Sequence, residues 1–289
     1  MATWSAPGKV FLFGEHAVVY EKPGIAMAIR PRVYVTVRKA KYSSDIKSPY
    51  LSECFKHMGV KGTVYIRSQL PSSTGLGSSA AVTVATLSAI NDEFNMSFTR
   101  DDISRKAFEI EKKVQKGRAS PTDTYVSTFG GLVLIGPSSK RRLPPQNFPL
   151  VIGNTGISHN TSKMVELVGE FKNTHPKIVD PLLDAIEGVT KRALYCMNNP
   201  KEMGWLMNVN HALLEALGVG HPLLSKLVLT SRAAGAFGAK LTGAGGGGCI
   251  VALCPTRLRS KVARALEGSN ATSFITTIDT EGVRKERNV

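Results

Sequence analysis

The stretch Leu70-Pro71-Ser72-Ser73-Thr74-Gly75-Leu76-Gly77-Ser78-Ser79-Ala80-Ala81 joins an alternating strand-like pattern to a long apolar helical one. That context suits an anion. The free N–H groups and positive dipole end of a helix N-terminus attract phosphate, and glycines let the backbone come close to it. Ser78 and Ser79 put hydroxyls at the helix start, where one could ligate Mg²⁺, a hard cation that prefers oxygen. A Gly/Ser turn with a serine cap is the other reading of the same residues. Dinucleotide fingerprints fit less well. Gly243-Ala244-Gly245-Gly246-Gly247-Gly248 runs into a strand pattern, whereas the fingerprint must open a helix. Gly75-Leu76-Gly77-Ser78-Ser79-Ala80 does open a helix. The acids that follow it, Asp92 and Glu93, close that helix rather than a second strand. A Walker loop is missing, and so are the protein-kinase H-R-D and D-F-G signatures.

Carboxylates stand farther along. Thr99 followed by Asp101 and Asp102 predicts a helix start, and Ile103, Ala107, Ile110 and Val114 fall on one face of that helix. Glu111 lies about 60° from the centre of this stripe, on the edge of the buried face. Glu109 points away, and Lys112 points farther out. Asp123 sits in a loop or short capped helix spanning 120–128.

The elements that must position these groups follow from periodicity. Strands are expected at 4–13 (broken by Pro7-Gly8), 33–38, 63–68, 132–135, 249–253 and 273–278. Helices are expected at 78–91, 161–171, 176–197, 200–217, 222–234 and 256–266. Three of them open on proline, which the first turn tolerates. The helix at 78–91 has so little polar surface that it is expected to be buried. The basic stretch Ser139-Lys140-Arg141-Arg142 and the prolines after it read as a solvated link within 137–149. It sets the expected boundary between lobes 1–148 and 149–289. Strands and helices in this order predict an α+β fold with helices on one sheet face.

With 289 residues and 42% hydrophobic residues, the chain can build a substantial core. No segment approaches the ~18 apolar residues of a membrane span, and the N-terminal residues do not resemble a signal peptide. The cysteines at 54, 196, 249 and 254 form no C-x-x-C pair, so a reducing cytoplasm is expected. A net charge of +15 favours anionic partners. Basic residues are spread and aromatics reach only 7%, so a small anion is expected rather than nucleic acid.

Three motifs stand in order. The first is Ala6-Pro7-Gly8-Lys9-Val10-Phe11-Leu12-Phe13-Gly14-Glu15-His16-Ala17-Val18-Val19-Tyr20. The second is the loop 71–81. The third is Lys240-Leu241-Thr242-Gly243-Ala244-Gly245-Gly246-Gly247-Gly248-Cys249. Together they resemble the signature of the small-molecule GHMP kinase superfamily, which includes galactokinase, homoserine kinase, mevalonate kinase and phosphomevalonate kinase. The Gly-Glu-His-Ala-Val-Val stretch is similar to the mevalonate kinase family, whereas galactokinases usually continue with Thr-Asp after the Glu-His. The resemblance runs from Ala6 to about Ala252, and the short length looks like the archaeal form.

The resemblance implies an N-terminal lobe like ribosomal protein S5 domain 2 and a ferredoxin-like C-terminal lobe, with the site between them. It implies ATP and Mg²⁺, and phosphorylation of the 5-hydroxyl of mevalonate on the way to isoprenoids. It leaves a homodimer open. By the same resemblance Asp123 is the catalytic base. Lys9, by residue type alone a solvated lysine at a strand start, lies beside it and stabilises charge on the transferring oxygen. Pro71, Ser72, Ser73, Thr74, Gly75, Leu76, Gly77, Ser78, Ser79, Ala80 and Ala81 bind ATP, while Ser79 and Glu111 bind the metal. Glu15, His16 and Thr242 face the substrate, with His16 suited to a carboxylate or hydroxyl. The family spacing from this glutamate to the base is usually one residue shorter, which puts an extra residue among Lys116, Gly117 and Arg118.

Overall fold

The computed structural model describes residues 1–41, 48–71, 74–117, 119–137, 139–158 and 160–287. The first strand, β1 (Ala2–Phe13), is buried along almost its whole length, as an apolar strand covered on both faces must be. It pairs antiparallel with β2 (Gly24–Lys39), and the register shifts between Pro7 and Gly8. Proline has no N–H to give the ladder, so the irregularity falls at the Pro-Gly pair expected to break the strand.

β2 also pairs with β3 (Gly62–Ser68) along its later half and with β4 (Leu132–Ile135) along its earlier half. β5 (Lys140–Leu143) continues this sheet beyond β4. The basic run expected as a solvated link is therefore partly a strand: Lys140 to Leu143 satisfy the edge that β4 would otherwise expose, while Arg141 and Arg142 keep their side chains in water. β10 (Arg284–Lys285) returns from the far end of the chain to the other edge, beside β1. The second sheet has the order β7 (Gly238–Thr242), β8 (Cys249–Leu253), β6 (Leu150–Asn154) and β9 (Thr272–Thr276). Every strand pairing in these two sheets is antiparallel among the described residues.

Helices α1 (Pro49–His57), α2 (Ser78–Glu93), α3 (Arg100–Val114) and α4 (Pro121–Phe129) belong to the first sheet. α2 packs on β1 and β2 and is touched by α1, α3 and α4, which explains why residues 80–90 of it are nearly all buried. α3 starts at the expected cap: Thr99 and Asp102 exchange hydrogen bonds in a capping box. Helices α5 (Thr161–Thr174), α6 (Pro176–Tyr195), α7 (Pro200–Ala216), α8 (Pro222–Ala233) and α9 (Arg259–Glu267) belong with the second sheet. The last expected helix begins later than its pattern suggested, because Thr256–Leu258 forms a short 3₁₀ turn before α9. The α+β expectation holds. One apolar cluster joins the two halves, since Val10, Leu12 and Leu76 share it with Leu150, Ile152 and Val251. No described helix is long and apolar enough to cross a membrane.

Candidate active site

Gly77 caps α2 in the left-handed region, at φ 72°, which frees both serines from capping duty. Ser79 instead donates its Oγ–H to Glu111 Oε1 at 2.8 Å. The loop before α2 is stitched to β1: the Lys9 backbone N–H donates to the Leu76 carbonyl at 2.9 Å, and Lys9 Nζ donates to the Gly75 carbonyl at 3.2 Å. A Cβ at Gly77 would sit 2.9 Å from Lys9 Cγ, so only glycine lets the lysine stem pass. Thr74, Gly75, Gly77, Ser78 and Ser79 line an open cleft of about 1030 Å³. Leu76, Ala80 and Ala81 are buried behind it, Pro71 is half-buried, and none of these four is on the cleft wall. Ser72 and Ser73 lie outside the described residues, as does Arg118.

Lys9 Nζ also meets Asp123 Oδ2 at 3.2 Å, with the lysine side chain buried and Asp123 partly open to the cleft. Asp123 stands in the first turn of α4, started by Pro121 and capped by Ser120, whose Oγ accepts from the Thr122 N–H. Ser127, one turn on, donates to the Pro7 carbonyl at 3.0 Å and so fixes α4 against the strand that carries Lys9. Glu111 was expected at the edge of the buried face. It is 2% exposed, and what surface it keeps faces the cleft. Burial first, and then the Asp123 charge, push its carboxyl up to about 7.

This end of the cleft gathers a hydroxyl and two carboxylates with crowded negative charge, a donor set that suits a hard divalent cation. Among the described residues no three acidic, His or Cys side chains could hold a metal unaided, so Ser79 and Glu111 suit an ion that phosphate oxygens help to bind. Tyr50, which the sequence did not single out, lines the same end of the cleft as Ser79 and Gln115. A tyrosine in a short helix gives no signal of this at the sequence level.

The other end is built from the first and third motifs. After β1 the chain turns sharply at Gly14 (φ 90°) and His16 (φ 61°), then enters a 3₁₀ turn, Ala17–Tyr20. His16 Nε2 donates to the Ala244 carbonyl at 2.8 Å, and burial holds the imidazole below its ordinary pKa. A neutral ring that donates from Nε2 keeps Nδ1 as an acceptor. Glu15 lines the cleft yet is 2% exposed, and it forms an ion pair with the fully buried Lys240. Its second oxygen accepts from Asn210 Nδ2 at 3.1 Å. Lys240 and Asn210 were not anticipated as site residues. Thr242 is not on the cleft wall: its Oγ1 accepts from the Phe11 N–H at 2.8 Å and donates to the Phe11 carbonyl at 3.1 Å. Gly243 follows against the phosphate loop, where an added Cβ would lie 3.3 Å from the Gly75 carbonyl oxygen. The structure thus brings Lys9, Asp123, Glu111 and Ser79 together at one end and Glu15 and His16 at the other.

Comparisons with known proteins find relatives along almost the whole chain. The family described as GHMP kinases N terminal domain matches residues 46–131, and that described as GHMP kinases C terminal matches residues 185–271. The mevalonate kinase of Thermococcus sibiricus is 38% identical, over 98% of this chain and 97% of that protein. The crystal structure of the Methanococcus jannaschii mevalonate kinase superposes with a TM-score of 0.84 at 27% identity, covering 96% of this chain and 98% of the other. The L. major mevalonate kinase, solved in complex with R-mevalonate, gives a TM-score of 0.86 at 26% identity, covering 96% and 95% of the two chains.

Proposed function

The chain belongs to the mevalonate kinases of the GHMP kinase family, and from that premise we propose that it transfers the γ-phosphoryl group of ATP to the 5-hydroxyl of mevalonate, giving ADP and 5-phosphomevalonate. The observation that carries this reading is the Lys9–Asp123 pair, 3.2 Å apart, on the same cleft wall as the N-terminus of α2.

In this reading the N–H groups at the start of α2, with Gly75 and Gly77, cradle the phosphates of ATP. Asp123 accepts the hydroxyl proton as the new oxygen–phosphorus bond forms and the bond from Pγ to the bridging oxygen of ADP breaks. Such transfers are loose, so Asp123 contributes chiefly by holding the hydroxyl in line. Lys9 offers positive charge where the transferring oxygens crowd. Ser79 Oγ and the Glu111 carboxylate would hold Mg²⁺, whose charge offsets that of the phosphate oxygens when it is bound. His16 Nδ1 accepts a hydrogen bond from a substrate hydroxyl, because burial keeps the ring neutral. Glu15 acts at the same end. Thr242 acts through Phe11, holding β7 to β1.

A lobe boundary at 148/149 belongs to this reading, supported by β5 in the first sheet and β6 in the second. We place the reaction in a reducing cytoplasm, where the four free cysteines stay thiols. The test is ADP release measured on mevalonate, galactose, homoserine and phosphomevalonate in parallel. Turnover on mevalonate well above the rest is expected. Silence on mevalonate with turnover on another alcohol would overturn the choice of substrate.

A further inference from the structure

The turn 14–17 is an awkward one to hold. Gly14 has φ 90°, His16 has φ 61° without being glycine, and no side chain caps the 3₁₀ turn that follows. Backbone hydrogen bonds hold it within its own segment, from the Ala17 N–H to the Glu15 carbonyl at 2.7 Å and from the Val18 N–H to the Gly14 carbonyl at 3.1 Å. The partners of its polar side chains come from the other half of the molecule: Lys240 on β7 reaches Glu15, Asn210 on α7 reaches the same carboxylate, and the Ala244 carbonyl takes the His16 imidazole.

Two features set this cluster apart from ordinary core packing. Lys240 is fully buried, and its ammonium has only Glu15 and the Leu241 carbonyl as hydrogen-bond partners among the described residues. A buried ion pair is weak evidence for stability, since apolar residues of similar size often do as well there. Asn210 is also fully buried, and its Oδ1 finds no partner among the described residues. An amide kept with one end unpaired is unfavourable for folding alone. What it gains there is the bond to Glu15.

We propose that Lys240 and Asn210 are positioning residues: from the second sheet they fix the Glu15–His16 turn, and through it the part of the cleft that receives the acceptor alcohol. Among the described residues no hydrogen bond or ion pair joins either of them to the phosphate loop or to Asp123, so their influence is expected on the alcohol and not on the nucleotide. The inference rests on the kinase reading above and deepens it.

The experiment is steady-state kinetics of full-length Lys240→Met and Asn210→Leu with each substrate varied in turn, beside thermal unfolding. Lys240→Met is expected to raise KM for mevalonate about ten-fold or more and to lower kcat, with KM for ATP within about two-fold of the parent. A merely structural lysine would instead lower Tm and leave the ratio of the two KM values alone, and that result overturns the proposal. Lys240→Met leaves a buried carboxylate without its cation and can fail to fold. Asn210→Leu then decides, because it removes the unpaired oxygen together with the bond to Glu15. It is expected to keep Tm within a few degrees while raising KM for mevalonate about three-fold or more. An unchanged KM for mevalonate in Asn210→Leu also overturns the proposal. The unmodified protein separates the two readings. If it uses another alcohol in place of mevalonate, the substrate assignment fails, and the same KM comparison is then made on that alcohol.

Discussion

The two ends of the cleft are held in opposite ways. At the acceptor end, Glu15 is matched by Lys240 and Asn210, His16 by the Ala244 carbonyl, and Thr242 by both backbone groups of Phe11. Each of these contacts joins the first motif to the half of the molecule built on the second sheet. At the phosphate end, burial and then the Asp123 charge press on Glu111, while Lys9 pairs with Asp123. At the first end the Glu15 charge is matched by that of Lys240, and this end determines shape. The second carries more negative charge than its own residues settle, and a cation with a phosphate would settle it. The contrast teaches that recognition and chemistry are divided along the cleft. Changes at one end should move binding of the alcohol, and changes at the other should move the rate.

Asp123→Ala tests the division most severely. It should lower kcat by about 10³-fold or more while the protein still folds and binds ATP, since a general base and its orienting role are lost together. Nucleotide binding by calorimetry and turnover by ADP release would show it. Near-normal turnover would remove Asp123 from the mechanism and blur the two ends into one.

A smaller effect is expected at Gly77. Alanine there meets a left-handed backbone and places its Cβ 2.9 Å from Lys9 Cγ, so the lysine has to move. A displacement near 1 Å at a transferring group costs about 10²-fold in rate. Gly59 is the control: its φ is +66°, yet nothing lies within 4 Å of its added Cβ. Both alanines should lose about 1 kcal/mol of stability from the backbone alone, and only Gly77→Ala should lose activity. Equal kinetics for the two variants would mean that Lys9 tolerates displacement.

Much of this was legible beforehand, for local reasons. The capped start of α3 follows from Thr99 and Asp102, and β4 and β8 follow from short apolar runs bounded by glycine or proline. Pairs far apart in the chain were not legible. Glu15 and Lys240 are separated by 225 positions, and neither motif says that one binds the other. The early half of β2, Gly24-Ile25-Ala26-Met27-Ala28, holds few strong strand formers, and it is extended because β1 and β4 flank it. β6 was hidden by the Pro-rich basic run before it. Its Leu150-Val151-Ile152 is a strand of the second sheet, between β8 and β9. Sequence showed which residues carry chemistry, and packing decided which of them face the cleft and which hold the others.

Glu111→Gln probes the pressure on this carboxylate and should have the mildest consequence for the rate. The folded carboxyl titrates at about 7, against an ordinary value of 4.5. Between those values the folded protein keeps a proton that the unfolded chain has released. Wild-type stability should therefore fall as pH rises from about 4.5 to about 7 and level off above, a loss on the order of 3 kcal/mol. The substituted glutamine has no such proton, yet its side-chain oxygen can still accept from Ser79. The variant should match the wild type near pH 4.5 and exceed it by roughly that amount at about pH 7.5, in urea unfolding without metal or nucleotide. The same substitution should raise the Mg²⁺ concentration needed for turnover, because a charged ligand is gone. A stability difference that does not change with pH would mean that neither burial nor the Asp123 charge presses on Glu111. The phosphate end would then be as settled as the seam between Glu15 and Lys240, and the division along the cleft would have to rest on the kinetics alone.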